Sequence, residues 1–199
     1  MMKYSPLLKP IADELYKHLE CYNPIEVKDY GWKNHVWESS IFKWAHLEQF
    51  YTPKVSVLHC VVMPLPNSHA PIYGFDVIEI NQRLTGMFLD LTPVTDFDCG
   101  ITVPDPLGED RAVPQWADFF SKDFCCCIPQ PGDLNTGLDI FKRYIDLLPK
   151  TLEVGADYSK VHKRYIEGQR KNPQTYRMLK SHIGSELAQT FIDTVLWPV

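Results

Sequence analysis

His59 and Asp76 are the two ionisable side chains whose setting demands an explanation. His59 stands in Val55-Ser56-Val57-Leu58-His59-Cys60-Val61-Val62-Met63, β-branched and apolar almost throughout and closed by Pro64 and Pro66. That is the spelling of a strand covered on both faces. Because side chains alternate along a strand, His59 shares its face with Val57 and Val61. Asp76 stands in a second such run, residues 72–80, where it alternates with Gly74 and Ile78. The polar turn Asn81-Gln82-Arg83 leads into a third run over 84–91, so the spacing predicts a hairpin with Asp76 inside its first arm. A carboxyl group taken out of water holds its proton more tightly, and an imidazole within reach can share that proton, so that the two titrate as one unit. The chemistry open to such a pair is proton delivery. The ordinary alternative is a core histidine bonded to a carbonyl and an aspartate at a sheet edge, and spacing alone leaves both open.

The elements that must position these residues are readable from periodicity. Leu7, Ile11, Leu15 and Leu19 give a four-residue rhythm over 6–21, an amphipathic helix. An aromatic-rich stretch over 30–51, with Trp32, Trp37, Phe42 and Trp44, reads as β and precedes the hairpin strands. Residues 92–113 are dense in Pro, Asp and Gly and read as a long loop, and Pro114-Gln115-Trp116 as the opening of a short helical turn. One more strand fits 124–128. Beyond Pro129 and Pro131 the character turns helical: Leu134, Leu138, Phe141, Ile145 and Leu148 keep helical spacing, and 161–169, 175–182 and 186–196 follow suit. Strands grouped together with helices at both ends predict one α+β domain over 1–199, an antiparallel sheet covered by helices.

Composition narrows the chemistry. A chain of 199 residues, 45% hydrophobic and 23% charged, buries a substantial core. Its net charge of −5 argues against a nucleic-acid partner. No run of about eighteen apolar residues exists, so no membrane partner is expected. Met1-Met2-Lys3-Tyr4-Ser5-Pro6 lacks the apolar core of a signal peptide, which predicts a cytoplasmic protein. Six cysteines, Cys21, Cys60, Cys99 and the consecutive Cys125, Cys126 and Cys127, show no C-x-x-C spacing and fit neither zinc nor a disulfide framework. Three successive thiols on a strand face alternate ways, so they read as small apolar residues rather than one metal site. Neither dinucleotide nor nucleotide glycine loops, nor the zinc-protease or nucleophile-elbow patterns, occur. What remains is a His and Asp pair amid many aromatics, which suits a large apolar ligand and proton transfer.

Leu58-His59-Cys60-Val61-Val62-Met63-Pro64, Pro71-Ile72-Tyr73-Gly74-Phe75-Asp76-Val77 and Leu89-Asp90-Leu91-Thr92-Pro93 together resemble the signatures of the ferredoxin-dependent bilin reductases. The resemblance is strongest to the phycocyanobilin-forming branch and its phage-encoded, phycoerythrobilin-forming relatives. His46-Leu47-Glu48, Pro114-Gln115-Trp116, Phe120-Ser121, Lys171-Asn172, Arg177-Met178-Leu179 and Val195-Leu196 extend it over nearly the whole chain. It implies a three-layer α/β/α sandwich with a central antiparallel sheet. It implies biliverdin IXα as the substrate, held between the sheet and the C-terminal helices, and a phycobilin, phycoerythrobilin or phycocyanobilin, as the product. It implies a radical mechanism with no bound cofactor and no metal, in which ferredoxin delivers electrons singly and the protein supplies protons. A non-catalytic bilin carrier of the same fold is the second reading.

By the same resemblance Asp76 is the proton donor to the pyrrole and lactam nitrogens, His59 shares its proton, and Glu48 serves reduction of the D-ring vinyl group. The interval from Glu48 to His59 is one residue shorter than in the phycocyanobilin branch, and a slip of one residue turns a side chain to the other face unless the turn absorbs it. The substrate-binding residues implied are Asn172, Arg170, Lys171, Arg177 and Met178. Pro129 and Gln174 stand where relatives carry an arginine and a lysine, which leaves Arg170, Lys171 and Arg177 as expected partners of the two propionates. Lys160, Lys163, Arg164, Arg170, Lys171, Arg177 and Lys180 gather in the C-terminal helices, a basic patch on which an acidic ferredoxin would dock. The expected protein is a monomer in the cytoplasm of a cyanobacterium or a phage-infected host.

Overall fold

A computed structural model of the chain describes residues 5–105 and 107–198. The first helix, α1 (Leu8–Leu19), buries Leu8, Ile11, Ala12, Leu15 and Leu19 along one stripe, the spacing that a 3.6-residue turn puts on one face. The strands follow as β1 (Asn23–Ile25), β2 (Lys33–Glu38), β3 (Phe42–Tyr51), β4 (Val55–Pro64), β5 (Ile72–Ile80), β6 (Arg83–Thr92), β7 (Glu109–Asp110) and β8 (Cys125–Ile128). They form one antiparallel sheet in the order β1-β2-β3-β4-β5-β6-β8-β7. The helices α2 (Asp133–Leu147), α3 (Ser159–Arg170), α4 (Pro173–Ile183) and α5 (Ser185–Phe191) complete the chain, and α5 runs into a π-helical turn, Ile192–Leu196.

Alternation along the central strands divides the core in two. On β4, Leu58, Cys60 and Val62 face α1 and α2, whereas Val61 and Met63 face the C-terminal helices. The layers are therefore α, β and α, as expected. On the first side α2 approaches closely because Gly137 carries no side chain: a Cβ there would stand 2.5 Å from the Phe75 ring. The buried phenols on that side are satisfied by carbonyls, Tyr73 donating to Gly137 at 3.0 Å and Tyr144 to Pro71 at 2.8 Å.

Several expectations shift in detail. The β5–β6 turn is tighter than read: Ile80 pairs with Arg83, and Asn81 and Gln82 alone make the turn at φ 50° and 64°, which is the paired positive-φ geometry of a two-residue hairpin. The strands β1 and β7 were not foreseen, being only three and two residues long, too short to show alternation. Pro114-Gln115-Trp116 forms a turn closed by Ala117 N–H to Pro114 C=O at 3.0 Å rather than a helix. In β8, Cys126 and Cys127 are buried and Cys125 half-buried, all as free thiols. The initial segment Met1–Tyr4, part of the signal-peptide reading, lies outside the described residues. Among the described residues no helix is long and apolar enough to cross a membrane.

Candidate active site

The sheet register assembles the site. Asn34, Glu48, His59, Asp76 and Phe88 are successive Cα partners across β2, β3, β4, β5 and β6, so their side chains stand in one row on the face toward the C-terminal helices. The next row on that face holds Val36, His46, Val61, Gly74 and Asp90. The register across β3 and β4 places Glu48 directly opposite His59. Tyr51 still pairs with Ser56, and Thr52 closes the reversal by accepting from Val55 N–H at 2.8 Å and donating its own N–H to Val55 C=O at 2.7 Å. Glu48 therefore faces the same way as His59.

His59 Nδ1 is hydrogen-bonded to Asp76 Oδ1. Burial pulls the imidazole pKa down, but the Asp76 carboxylate, its hydrogen bond and Glu48 outweigh that, and the net direction is up. Its other nitrogen, Nε2, is buried without a hydrogen-bond partner among the described residues. The side chain of Asp76, expected to be buried, is 35% exposed. Glu48 is the carboxyl that is enclosed, at 3% exposure. Burial is the largest influence on it and pushes its pKa from 4.5 up to about 7, against the opposing pull of His59 and of Trp32, whose indole Nε1–H donates to Oε1 at 2.7 Å.

Sequence reasoning gave no role to three further residues around this row. His46 lies wholly buried, its Nε2 paired with Asn34 Oδ1 at 3.1 Å. Burial, then His59 and His35, hold its pKa well down, so it is neutral and Nε2 carries the hydrogen. Its place two residues before Glu48 on a strand was the available signal. Asp90 is buried, with its pKa raised by burial against hydrogen bonds from Ser121 and Thr92. It fixes the 119–124 segment by accepting from Ser121 N–H at 3.1 Å and from the Ser121 hydroxyl. Trp197 roofs the site, its ring 5.6 Å from His59, 6.0 Å from Trp44 and 5.7 Å from Tyr165. Nothing in the sequence around Trp197 announced that contact.

The residues expected to bind substrate are more dispersed. Arg170 donates to Trp197 C=O at 2.7 Å and to Asp193 C=O at 3.1 Å and pairs with the Asp193 carboxylate at 3.4 Å, so it clasps the C-terminal turn that carries the roof. Asn172 caps α4, accepting from Gln174 N–H at 2.9 Å and Thr175 N–H at 3.4 Å. Lys171 and Arg177 are exposed, and Met178 packs against the helical core. A cavity of about 350 Å³ opens at the far end of the sheet, lined by Arg111, Lys122, Phe124 and the three β8 thiols. It contains none of Glu48, His59 and Asp76.

With this geometry in view, comparison with known proteins places the chain. Residues 17–198 match the family of ferredoxin-dependent bilin reductases. The chain belongs to that family. It is similar to phycocyanobilin:ferredoxin oxidoreductase of Trichodesmium erythraeum, at 25% identity over 83% of this chain and 75% of the relative. The same enzyme of Prochlorococcus marinus is 26% identical over 97% of this chain and 92% of the relative. Among solved structures, that of PcyX superposes with a TM-score of 0.66 at 22% identity, covering 96% of this chain and 98% of the other. Tomato phytochromobilin synthase in complex with biliverdin gives a TM-score of 0.69 at 16% identity over 98% and 83%. Membership makes this chain an oxidoreductase of the bilin-reducing, ferredoxin-dependent kind.

Proposed function

We propose that the chain reduces biliverdin IXα to a phycobilin, with electrons supplied singly by reduced ferredoxin and protons supplied by Glu48, His59 and Asp76. Each double bond reduced consumes two electrons, from two reduced ferredoxins, and two protons. Adding an electron to a conjugated tetrapyrrole raises its basicity, and the transfer is efficient only where a proton stands beside the developing charge. The observation that carries this reading is the His59 and Asp76 pair: its outer nitrogen, His59 Nε2, is buried under Trp197 with nothing to bond among the described residues. A buried donor left unpaired costs about 1–3 kcal/mol, and a carbonyl oxygen of a bound bilin would satisfy it. In this scheme Asp76, whose side chain is 35% exposed, passes the proton it shares with His59 to ligand nitrogens, and Glu48, on the other side of His59, is the second acid.

Tomato phytochromobilin synthase, which shares the fold, was solved with biliverdin bound. No bound cofactor enters the scheme, since electrons arrive from outside. The exposed Lys160, Arg164, Lys171, Arg177 and Lys180 on α3 and α4 and between them give an acidic ferredoxin a basic surface to dock on, despite the net charge of −5. Mixing the protein with biliverdin tests binding through the shift of the bilin absorption band. Adding reduced ferredoxin under anaerobic conditions then tests turnover. A protein that only carried the bilin would hold the shifted band unchanged, whereas the reductase bleaches it and releases phycoerythrobilin or phycocyanobilin, which chromatography separates.

A further inference from the structure

We infer that Trp32 is a positioning residue: its indole N–H holds the Glu48 carboxyl in one orientation and thereby sets which double bond of the ligand receives Glu48's proton. The inference rests on the reading of the site as bilin-reducing and deepens it.

Trp32 lies just ahead of β2, outside the row of titratable residues, yet it donates its one hydrogen to Glu48 Oε1 at 2.7 Å. The donor is rigid. The ring is met edge-on by Phe50 at 5.3 Å and by Phe191 at 5.2 Å, and Tyr30 lies 5.9 Å away, so few rotamers are open to it. Indole is a donor and never an acceptor, so it commits Oε1 and leaves Oε2 as the oxygen that can carry and give a proton. Glu48 is directly cross-strand from His59. Its charge state therefore bears on the imidazole, and the Glu48 carboxylate is one of the influences that raise His59. Trp32 acts through this line. By favouring the ionised carboxyl it opposes the burial that lifts Glu48 to about 7 and fixes how the proton is shared along Glu48, His59 and Asp76. A rotated Glu48 would carry its proton away from the carbon it serves, and misplacement by about 1 Å is enough to cost about a hundredfold in rate. The contacts of Phe191 with Trp32, at 5.2 Å, and with His46, at 6.3 Å, link this orientation to α5 in the layer that covers the ligand side of the sheet.

The test is Trp32→Phe, which keeps an aromatic ring in the packed site and removes the donor, alone and combined with Glu48→Gln. The expected results are two. The pH at which the infrared band of the protonated Glu48 carboxyl disappears rises by about one to two pH units, the shift that loss of one hydrogen bond to a charged acceptor produces. In anaerobic turnover of biliverdin the product mixture moves to that of Glu48→Gln, and the double variant gives the same mixture as Glu48→Gln alone. Should Trp32→Phe fail to fold, incorporating 3-benzothienylalanine at position 32 replaces the N–H by sulfur in a ring of the same shape. A carboxyl band that titrates as in the unaltered protein overturns the inference, and so does an unchanged product mixture or a further change in the double variant. The infrared arm needs no turnover. A protein that leaves biliverdin unreduced therefore refutes the bilin-reducing reading, while the carboxyl titration still decides whether Trp32 holds Glu48.

Discussion

Glu48→Gln should change the pH dependence of folding in a direction set by the site. The carboxyl is 3% exposed and its pKa rises from 4.5 to about 7, chiefly through burial. In the folded protein the group keeps its proton over an interval in which the unfolded chain has lost it, so the unfolded state binds fewer protons and stability falls with pH. The fall begins near 4.5, runs to about 7 and then levels off, and a rise of that size corresponds to about 3 kcal/mol. Protonated glutamate and glutamine have the same shape, and both can accept from the Trp32 N–H. At pH 4.5 the two proteins should therefore be nearly equal in stability, whereas at pH 8 the Gln variant should be the more stable by about 3 kcal/mol. His59 adds a smaller effect of the same sign. Its raised pKa, supported in part by Glu48, gives the unaltered protein a contribution that is present below 6.5 and lost above its folded pKa, and the variant has less of it to lose. Urea unfolding at half-unit pH steps, read by tryptophan fluorescence, measures the difference. Parallel curves for the two proteins between pH 4.5 and 8 would show that Glu48 is not the buried, proton-retaining acid described.

Two further outcomes follow from the packing. Gly137→Ala should lower stability by about 1–3 kcal/mol despite the better helix propensity of alanine, because its Cβ would stand 2.5 Å from a fully buried Phe75 ring; thermal unfolding measures this. Asn172→Ala should cost about 1 kcal/mol through the lost cap of α4, while Asn172→Asp keeps the cap and the stability, as chemical denaturation would show.

The core of the site was legible because it is built by one hairpin pattern. His59 and Asp76 each sit in an apolar run with clear punctuation, and alternation alone assigns the face of each. Their direct pairing depended on the connection between residues 64 and 72, about which the sequence is silent. Glu48 was open for a definite reason: one residue more or less in the turn at Thr52 reverses its face, and only the hydrogen bonds of that turn and the register they fix show it facing as His59 does. Asp76 was expected to be enclosed, but enclosure falls to Glu48, since burial at a given row depends on what the opposite layer places above it. The contact of Arg170 with Trp197, 27 residues on, and the capping of α4 by Asn172 belong to the folded C-terminal layer and were not read from the sequence. Trp32 and Trp197 reach the site only through tertiary contact, which no local pattern encodes.

Anaerobic turnover by Asp76→Asn tests the central claim most directly. Asparagine keeps the shape and can still accept from His59 Nδ1–H, but it has no proton to give. With biliverdin and reduced ferredoxin, the variant should show the same shifted bilin band as the unaltered protein on binding, then stall after the first electron with no phycobilin released. Phycobilin formed at the unaltered rate would contradict the assignment of proton delivery to the His59 and Asp76 pair.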